Sequence, residues 1–177
     1  MHRHWLVTLQ GLAGAGRTWD ENVARHLLED VEHGTVDALS DLCGDMHWHV
    51  SLEHRNDLFH LHGQWQGAMK RACSRCNTEF DWQFDGRTER DFQMGSPPDG
   101  DNDKDDCEYL TAPGMIDLLD ILREDVWLSW KADVICSEAC RGLCPACGCN
   151  LNIESCQCGK DDSEHPFAAL RKLNLDA

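Results

Sequence analysis

Alternation at period two dominates the first half of the chain. Trp48, Val50 and Leu52 occupy one set of positions, and His47, His49 and Ser51 the other. Phe59, Leu61 and Trp65 alternate in the same way with His60, His62 and Gln64, and Phe80, Trp82 and Phe84 repeat the pattern. Successive side chains of a strand point to opposite faces, so each run predicts a strand with one dry and one wet face. The stretch "HRND" at 54–57 has turn residues, which predicts a hairpin from the first two runs. Residues 46–94 thus read as β-rich, with the last strand extending to Phe92, and "HWLVTL" at 4–9 reads as a further short strand.

Three segments change period. "DENVARHLLED" (20–30) predicts a helix with Asp20 as N-cap, acidic residues in its first turn, and Val23, Leu27, Leu28 and Val31 as its apolar face. "GMIDLLDILREDVWLSW" predicts a longer helix, because Met115, Leu119, Leu122 and Val126 recur at helical spacing and Leu118 and Ile121 widen the stripe. "HPFAALRKL" predicts one or two helical turns begun by Pro166. Between strands and long helix, "GSPPDGDNDKDDC" reads as an acidic, mobile linker. The expected fold class is α+β: an antiparallel β-rich core with a few helices and a cysteine-rich, zinc-binding C-terminal segment. The expected divisions are 1–94 (β-rich, with one early helix and a C-x2-C turn), 95–110 (linker) and 111–177 (helix plus zinc knuckle, packed on the first part).

At 177 residues the chain is long enough to bury a core without cross-links. Charge changes the picture more. Acidic residues number 32 against 16 basic ones, a net charge of −16. Such a surface repels phosphate backbones and anionic membranes, and favours basic proteins or metal ions. The N-terminus shows no signal-peptide pattern and no window is apolar enough for a transmembrane helix. The reading is a cytoplasmic protein with no membrane partner, in a reducing compartment where clustered cysteines serve as metal ligands or redox groups.

Seven of the eleven cysteines fall between 136 and 158. Cys144–Cys147 ("CPAC") has the C-x2-C spacing that lets two sulfurs reach one ion from a tight turn, and Gly148 suits the bend that follows. Cys156–Cys158 follows as C-x-C, completing four soft ligands that favour zinc over oxygen-seeking cations. Cys73–Cys76 ("CSRC") is a second C-x2-C pair, and Cys136 and Cys140 remain to join it in a second site. Rivals for the second set are a Cys136/Cys140/Cys144/Cys147 site, a redox-active Cys73–Cys76 pair, or thiols that merely pack. Cys149 fits neither set and could replace a neighbour as ligand. Cys43 and Cys107 read as isolated thiols, and His165 is passed over because cysteines are in surplus. An all-cysteine site is closed, so one or two zinc ions would be structural.

Other chemistry finds less support. His47, His49, His60 and His62 are explained by the wet face of a hairpin. "GLAGAG" (11–16) lacks the Lys-Ser/Thr of a phosphate-binding loop and reads as a turn. No hydrolase elbow or metalloprotease helix occurs, so no catalytic residue is nominated, no enzyme is expected, and no small-molecule substrate. Lys70, Arg71 and Arg75 surround "CSRC" and could form a small basic spot for nucleic acid or a partner, though ordinary solvated charges account for them as well.

The long-helix segment, then "CSEACRGLCPACGCNLNIESCQC", then "HPFAALRKL" resembles the YceD family, the large ribosomal RNA subunit accumulation proteins. "CSRCNTEFDWQF" resembles that family's C-x-R-C followed by an aromatic strand. The likeness covers roughly residues 70 to 175. It implies a non-enzymatic ribosome biogenesis factor supporting synthesis, processing or stability of 23S ribosomal RNA. Together with the acidic charge, it leads to the expectation of a ribosomal protein or pre-50S assembly intermediate as partner, with direct RNA binding open. Members occur with and without the C-terminal cysteines, which implies that zinc is a scaffold in this branch. Cys149, and "LSWKAD" where a Leu-x-Leu-Pro turn is usual, depart from the family pattern. Two other functions remain open: a thiol-redox or metal-responsive protein using Cys73 and Cys76, and a zinc-ribbon adaptor for transcription machinery.

Overall fold

The computed structural model describes residues 4–10, 12, 16–28, 38–96 and 107–158. Its elements in chain order are β1 (Leu6–Thr8), β2 (Arg17–Val23), α1 (Arg25–Leu28), a 3-10 turn at Ala38–Asp41, β3 (Met46–Arg55), β4 (Leu58–Ala72), β5 (Glu79–Met94), β6 (Cys107–Leu110), β7 (Met115–Asp117) and α2 (Leu118–Leu128). Five strands form one sheet in the order β2-β3-β4-β5-β6, and β1 pairs with β7 in a separate two-stranded sheet. All pairings are antiparallel except β5–β6. The result is α+β and strand-rich, with a mixed rather than a purely antiparallel sheet.

The period-two pattern positions the sheet. Asn56 and Asp57, with φ of 50° and 66°, turn β3 into β4. Two consecutive residues with positive φ give the turn whose twist matches that of the strands it joins. The inward positions, including Trp48, Val50, Leu52, Leu61, Trp65 and Phe92, are buried. They share one core with Trp5, Val7 and Leu9 from β1 and with Leu118, Leu119, Leu122 and Val126 from α2. Trp5 stacks on Trp48 at 6.2 Å between ring centroids. The outward positions of β3 and β4 carry the four histidines. Asp20 on β2 reaches His47 at 3.0 Å and His49 at 3.6 Å, and Asp91 on β5 reaches His60 at 2.6 Å.

Three expectations are corrected. The helix expected at 20–30 is instead β2 followed by the single turn of α1. Trp19 and Val23 are buried at strand spacing, and β2 supplies the outer edge of β3 with a partner. Sheet pairing therefore overrides the poor strand propensity of Asp-Glu-Asn. The long helix starts later than expected. Met115 lies in β7, half exposed, and Asp117 caps α2 by accepting a 2.9 Å hydrogen bond from the Leu119 amide. Cys107–Leu110, expected within the linker, forms β6 along the end of β5. Val31, "HPFAALRKL", His165 and residues 97–106 of the linker lie outside the described residues.

One polar group inside this architecture is a structural lock. Asp125 of α2 accepts from the buried Thr88 hydroxyl at 2.6 Å and from Arg90 at 2.8 Å, which fixes α2 over β5. Burial pushes the Asp125 carboxyl up, opposed by Thr88 and Arg90. Asp125→Ala leaves Thr88 without this acceptor and Arg90 with Glu124, which it also reaches at 3.1 Å, but it relieves that desolvation as well. The expected loss is about 1–2 kcal/mol, read by urea unfolding.

Candidate metal centre

Cys73 directly follows the long strand β4 and Cys76 lies on the turn into β5. The turn is closed by Asn77 N–H donating to Cys73 C=O at 2.8 Å, with Asn77 at φ 56°. The segment after α2 comes back onto this turn. The Ser74 amide and hydroxyl both donate to Val134 C=O, at 2.8 and 2.7 Å, and Arg75 donates to Cys140 C=O at 3.3 Å. These bonds deliver Cys136 and Cys140 to the pair. Cys73 Sγ lies 3.8 Å from Cys140 Sγ, and Cys76 Sγ lies 3.7 Å from Cys136 Sγ. Zinc–sulfur bonds of about 2.3 Å make the edge of a regular tetrahedron about 3.8 Å. The observed spacing therefore matches a four-sulfur zinc site and is far too long for disulfides.

The second set is built locally. The Gly148 amide donates to Cys144 C=O and the Cys144 amide to Cys149 C=O, both at 2.8 Å, and Gly148 has φ 74°. Cys144 and Cys147 thereby face Cys156 and Cys158. In each quartet the four sulfurs lie within 4.8 Å of one another. This loop also docks on the first turn: Leu143 N–H donates to Arg75 C=O at 3.0 Å and Asn150 Nδ2 to Thr78 Oγ1 at 3.1 Å. Gly142, at φ 74°, permits that approach, since a Cβ there would sit 3.0 Å from Arg75 O.

Electrostatics separates the members of each quartet. Burial raises the Cys73 thiol, but amides of Cys136, Cys76 and Arg75 outweigh it and bring it down to about 6. Amides of Cys147 and Ala146 bring Cys144 to about 6 as well. Burial, followed by the neighbouring thiols, pushes Cys136 up to about 12, and Cys147 and burial do the same to Cys158. Four sulfurs this close cannot all be anionic without a cation between them. A divalent ion would supply that charge, and four soft donors with no open position fit structural zinc.

The arrangement distinguishes the two sets. Cys73, Cys76 and Cys140 are buried, whereas only Cys144 is buried in the second quartet. Cys149 is a fifth thiol beside the second set, in contact with Cys147 and Cys156. The quartets are those of the spacing argument, and Cys136 and Cys140 stand with Cys73 and Cys76 and not with Cys144 and Cys147. The basic trio has other work. Lys70 pairs with Asp81 at 2.9 Å, and Arg75 holds Cys140. Arg71 lies 4.4 Å from the Trp130 ring and 5.4 Å from the Trp82 ring, while donating to Lys131 C=O at 2.6 Å. Sequence reasoning missed that stack, whose only signal was a tryptophan after α2 and an aromatic strand opposite Arg71.

The family described as "Large ribosomal RNA subunit accumulation protein YceD" matches residues 61–174, well over half of the chain and including both quartets. Two relatives are named "Large ribosomal RNA subunit accumulation protein YCED homolog 1, chloroplastic". The one from Arabidopsis thaliana is 36% identical over 58 residues, which cover 33% of this chain and 18% of the relative. The one from Zea mays is 39% identical over 64 residues, covering 34% of this chain and 22% of the relative. The chain thus spans about a fifth of the length of these relatives. No solved structure matches. No helix among the described residues is long and apolar enough to cross a membrane.

Proposed function

This chain belongs to the YceD family of large ribosomal RNA subunit accumulation proteins, and on that premise we propose that it is a non-enzymatic ribosome biogenesis factor acting on 23S ribosomal RNA in the cytoplasm. In this reading each cysteine quartet holds one structural zinc ion. The observation that supports it is the overlap of the family match with two closed four-sulfur sites. Closed sites bind segments together and offer no position to a substrate. The inner ion, at Cys73, Cys76, Cys136 and Cys140, joins the sheet to the C-terminal segment. The outer ion, at Cys144, Cys147, Cys156 and Cys158, shapes the loop docked on it. The redox alternative is served less well, because Cys73 and Cys76 each sit beside a thiol from the other segment.

The net charge of −16 opposes a grip on naked RNA, so the proposed contact is a basic ribosomal protein or a pre-50S intermediate. Depletion in the source cell is expected to lower 23S relative to 16S RNA, with restoration by the intact chain. Pull-down from lysate is expected to retain ribosomal protein after nuclease treatment. Unchanged 23S levels overturn the biogenesis role, and loss of all ribosomal material on nuclease treatment assigns the contact to RNA instead.

A further inference from the structure

Strand β5 has a long edge that nothing among the described residues covers. Its one side pairs with β4 from Glu79 to Phe92. Its other side pairs with β6 only from Asp91 to Met94. From Glu79 to Arg90 that second edge offers backbone donors and acceptors to an incoming strand.

Beside this edge lies a groove of about 350 Å³, bounded by residues 82–85 of β5 and by residues 128–131 at the end of α2. Its β5 lining includes the inward Trp82 and Phe84 as well as the outward Gln83 and Asp85. A groove lined from both faces of one strand sits at the edge of that strand. Leu128 and Trp130 line it as well, 73% and 45% exposed, although both are large apolar side chains. The outward positions of β5 are acidic: Glu79, Asp81, Asp85, Glu89 and Asp91, interrupted by Gln83 and Arg87.

We propose that this edge is a docking site for an extended segment of a basic partner protein, added to the sheet as an antiparallel or parallel strand beside β5. The sheet dictates the pattern of that segment. Alternate side chains of an added strand point to opposite faces. One set enters the groove lined by Trp82, Phe84, Leu128 and Trp130 and is apolar. The other set faces Asp81, Asp85 and Glu89 and is lysine or arginine. The same acidic row opposes pairing with a second copy of this chain, since like charges would meet across the seam. That the partner is a ribosomal protein rests on the function proposed above, whereas the alternating apolar and basic preference rests on the groove alone.

The zinc-loaded full chain is titrated with a nine-residue peptide alternating lysine and valine, capped at both ends. The control has the same composition with lysines and valines in two blocks. Amide hydrogen exchange is expected to slow at least tenfold at the edge-facing amides of residues 82–85 with the alternating peptide. The block peptide is expected to bind at least tenfold more weakly. Leu128→Asp, at a largely exposed position, is expected to weaken binding tenfold. Asp85→Lys is expected to shift preference to a peptide alternating glutamate and valine. Equal binding of the two lysine peptides, or protection elsewhere on the molecule, overturns the proposal. So does protection of the same amides by a single-stranded RNA oligomer or by concentration-dependent dimerisation. The 23S measurement on depletion reads the biogenesis role and not the groove, so either conclusion can fail alone.

Discussion

Cys140→Ser is expected to reduce the zinc count from two to one per chain and to free the segment after α2 from the sheet. Cys140 lies on the inner quartet, whose two halves are far apart in sequence: Cys76 and Cys136 are separated by 60 residues. A clip that closes a loop of that length removes about 4 kcal/mol of unfolded-state freedom on the chain-entropy account. Serine is a poor zinc ligand, and the remaining three thiols would be left crowded without full neutralisation. The outer quartet closes on itself within residues 144–158, so its ion should remain. Cys144→Ser provides the contrast. It should also cost one ion, but Ser74 should keep its bonds to Val134 and the segment should stay in place. Native mass spectrometry counts the ions, and hydrogen exchange at residues 133–139 reads the release. Two ions retained in Cys140→Ser, or full protection of 133–139, would sink the assignment of the inner site. Chelation of the wild type should remove both ions and release residues 133–139 as Cys140→Ser does, because metal binding and local folding would then be one equilibrium.

Spacing singled out Cys144, Cys147, Cys156 and Cys158 before any coordinates, because C-x2-C and C-x-C restrict what a short turn can do. It left Cys73, Cys76, Cys136 and Cys140 open among several arrangements, since only the fold brings the far pair to the near one. The wet and dry faces of β3, β4 and β5 were legible for a related reason: period two is a local property of the chain. What escaped the sequence depends on partners far along it. Asp20–Val23 reads as the start of a helix until β3 presents an edge that must be paired. Met115 fits the helical stripe until β1 takes it into a strand. Cys107–Leu110 has the neighbours of a linker, yet it runs beside the end of β5. Arg71 looks like a free charge beside a zinc knuckle, and only the fold sets it against Trp82 and Trp130. Each case turns on tertiary context, which outweighs local preference by more than the few tenths of a kcal/mol that propensity supplies.

Gly86→Ala is expected to cost about 3 kcal/mol while leaving both zinc ions in place. Gly86 faces Trp65 directly across the β4–β5 pairing. A Cβ at Gly86 would fall 2.1 Å from Trp65 Cζ2 and 2.6 Å from Cη2, so the indole lies flat on backbone that only glycine leaves bare. The ring cannot step aside cheaply. Trp65 is buried opposite Trp48, and Phe84 meets it edge-on at 5.7 Å. Displacing it disturbs the centre of the core and not a flexible side-chain end. For a chain of this size that loss corresponds to a fall in Tm of about 6–12 °C. A double substitution separates this clash from a general intolerance of the site. Trp65→Val creates room at its own cost, and Gly86→Ala added to it should then be nearly free, giving a coupling of about 2 kcal/mol or more. Thermal unfolding of the four proteins, with zinc measured in each, closes the cycle. Additive losses would mean that the methyl group is resisted by something other than the Trp65 ring. A loss of zinc in Gly86→Ala would mean that the sheet centre and the cysteine quartets are one cooperative unit, against the separation expected from Cys140→Ser.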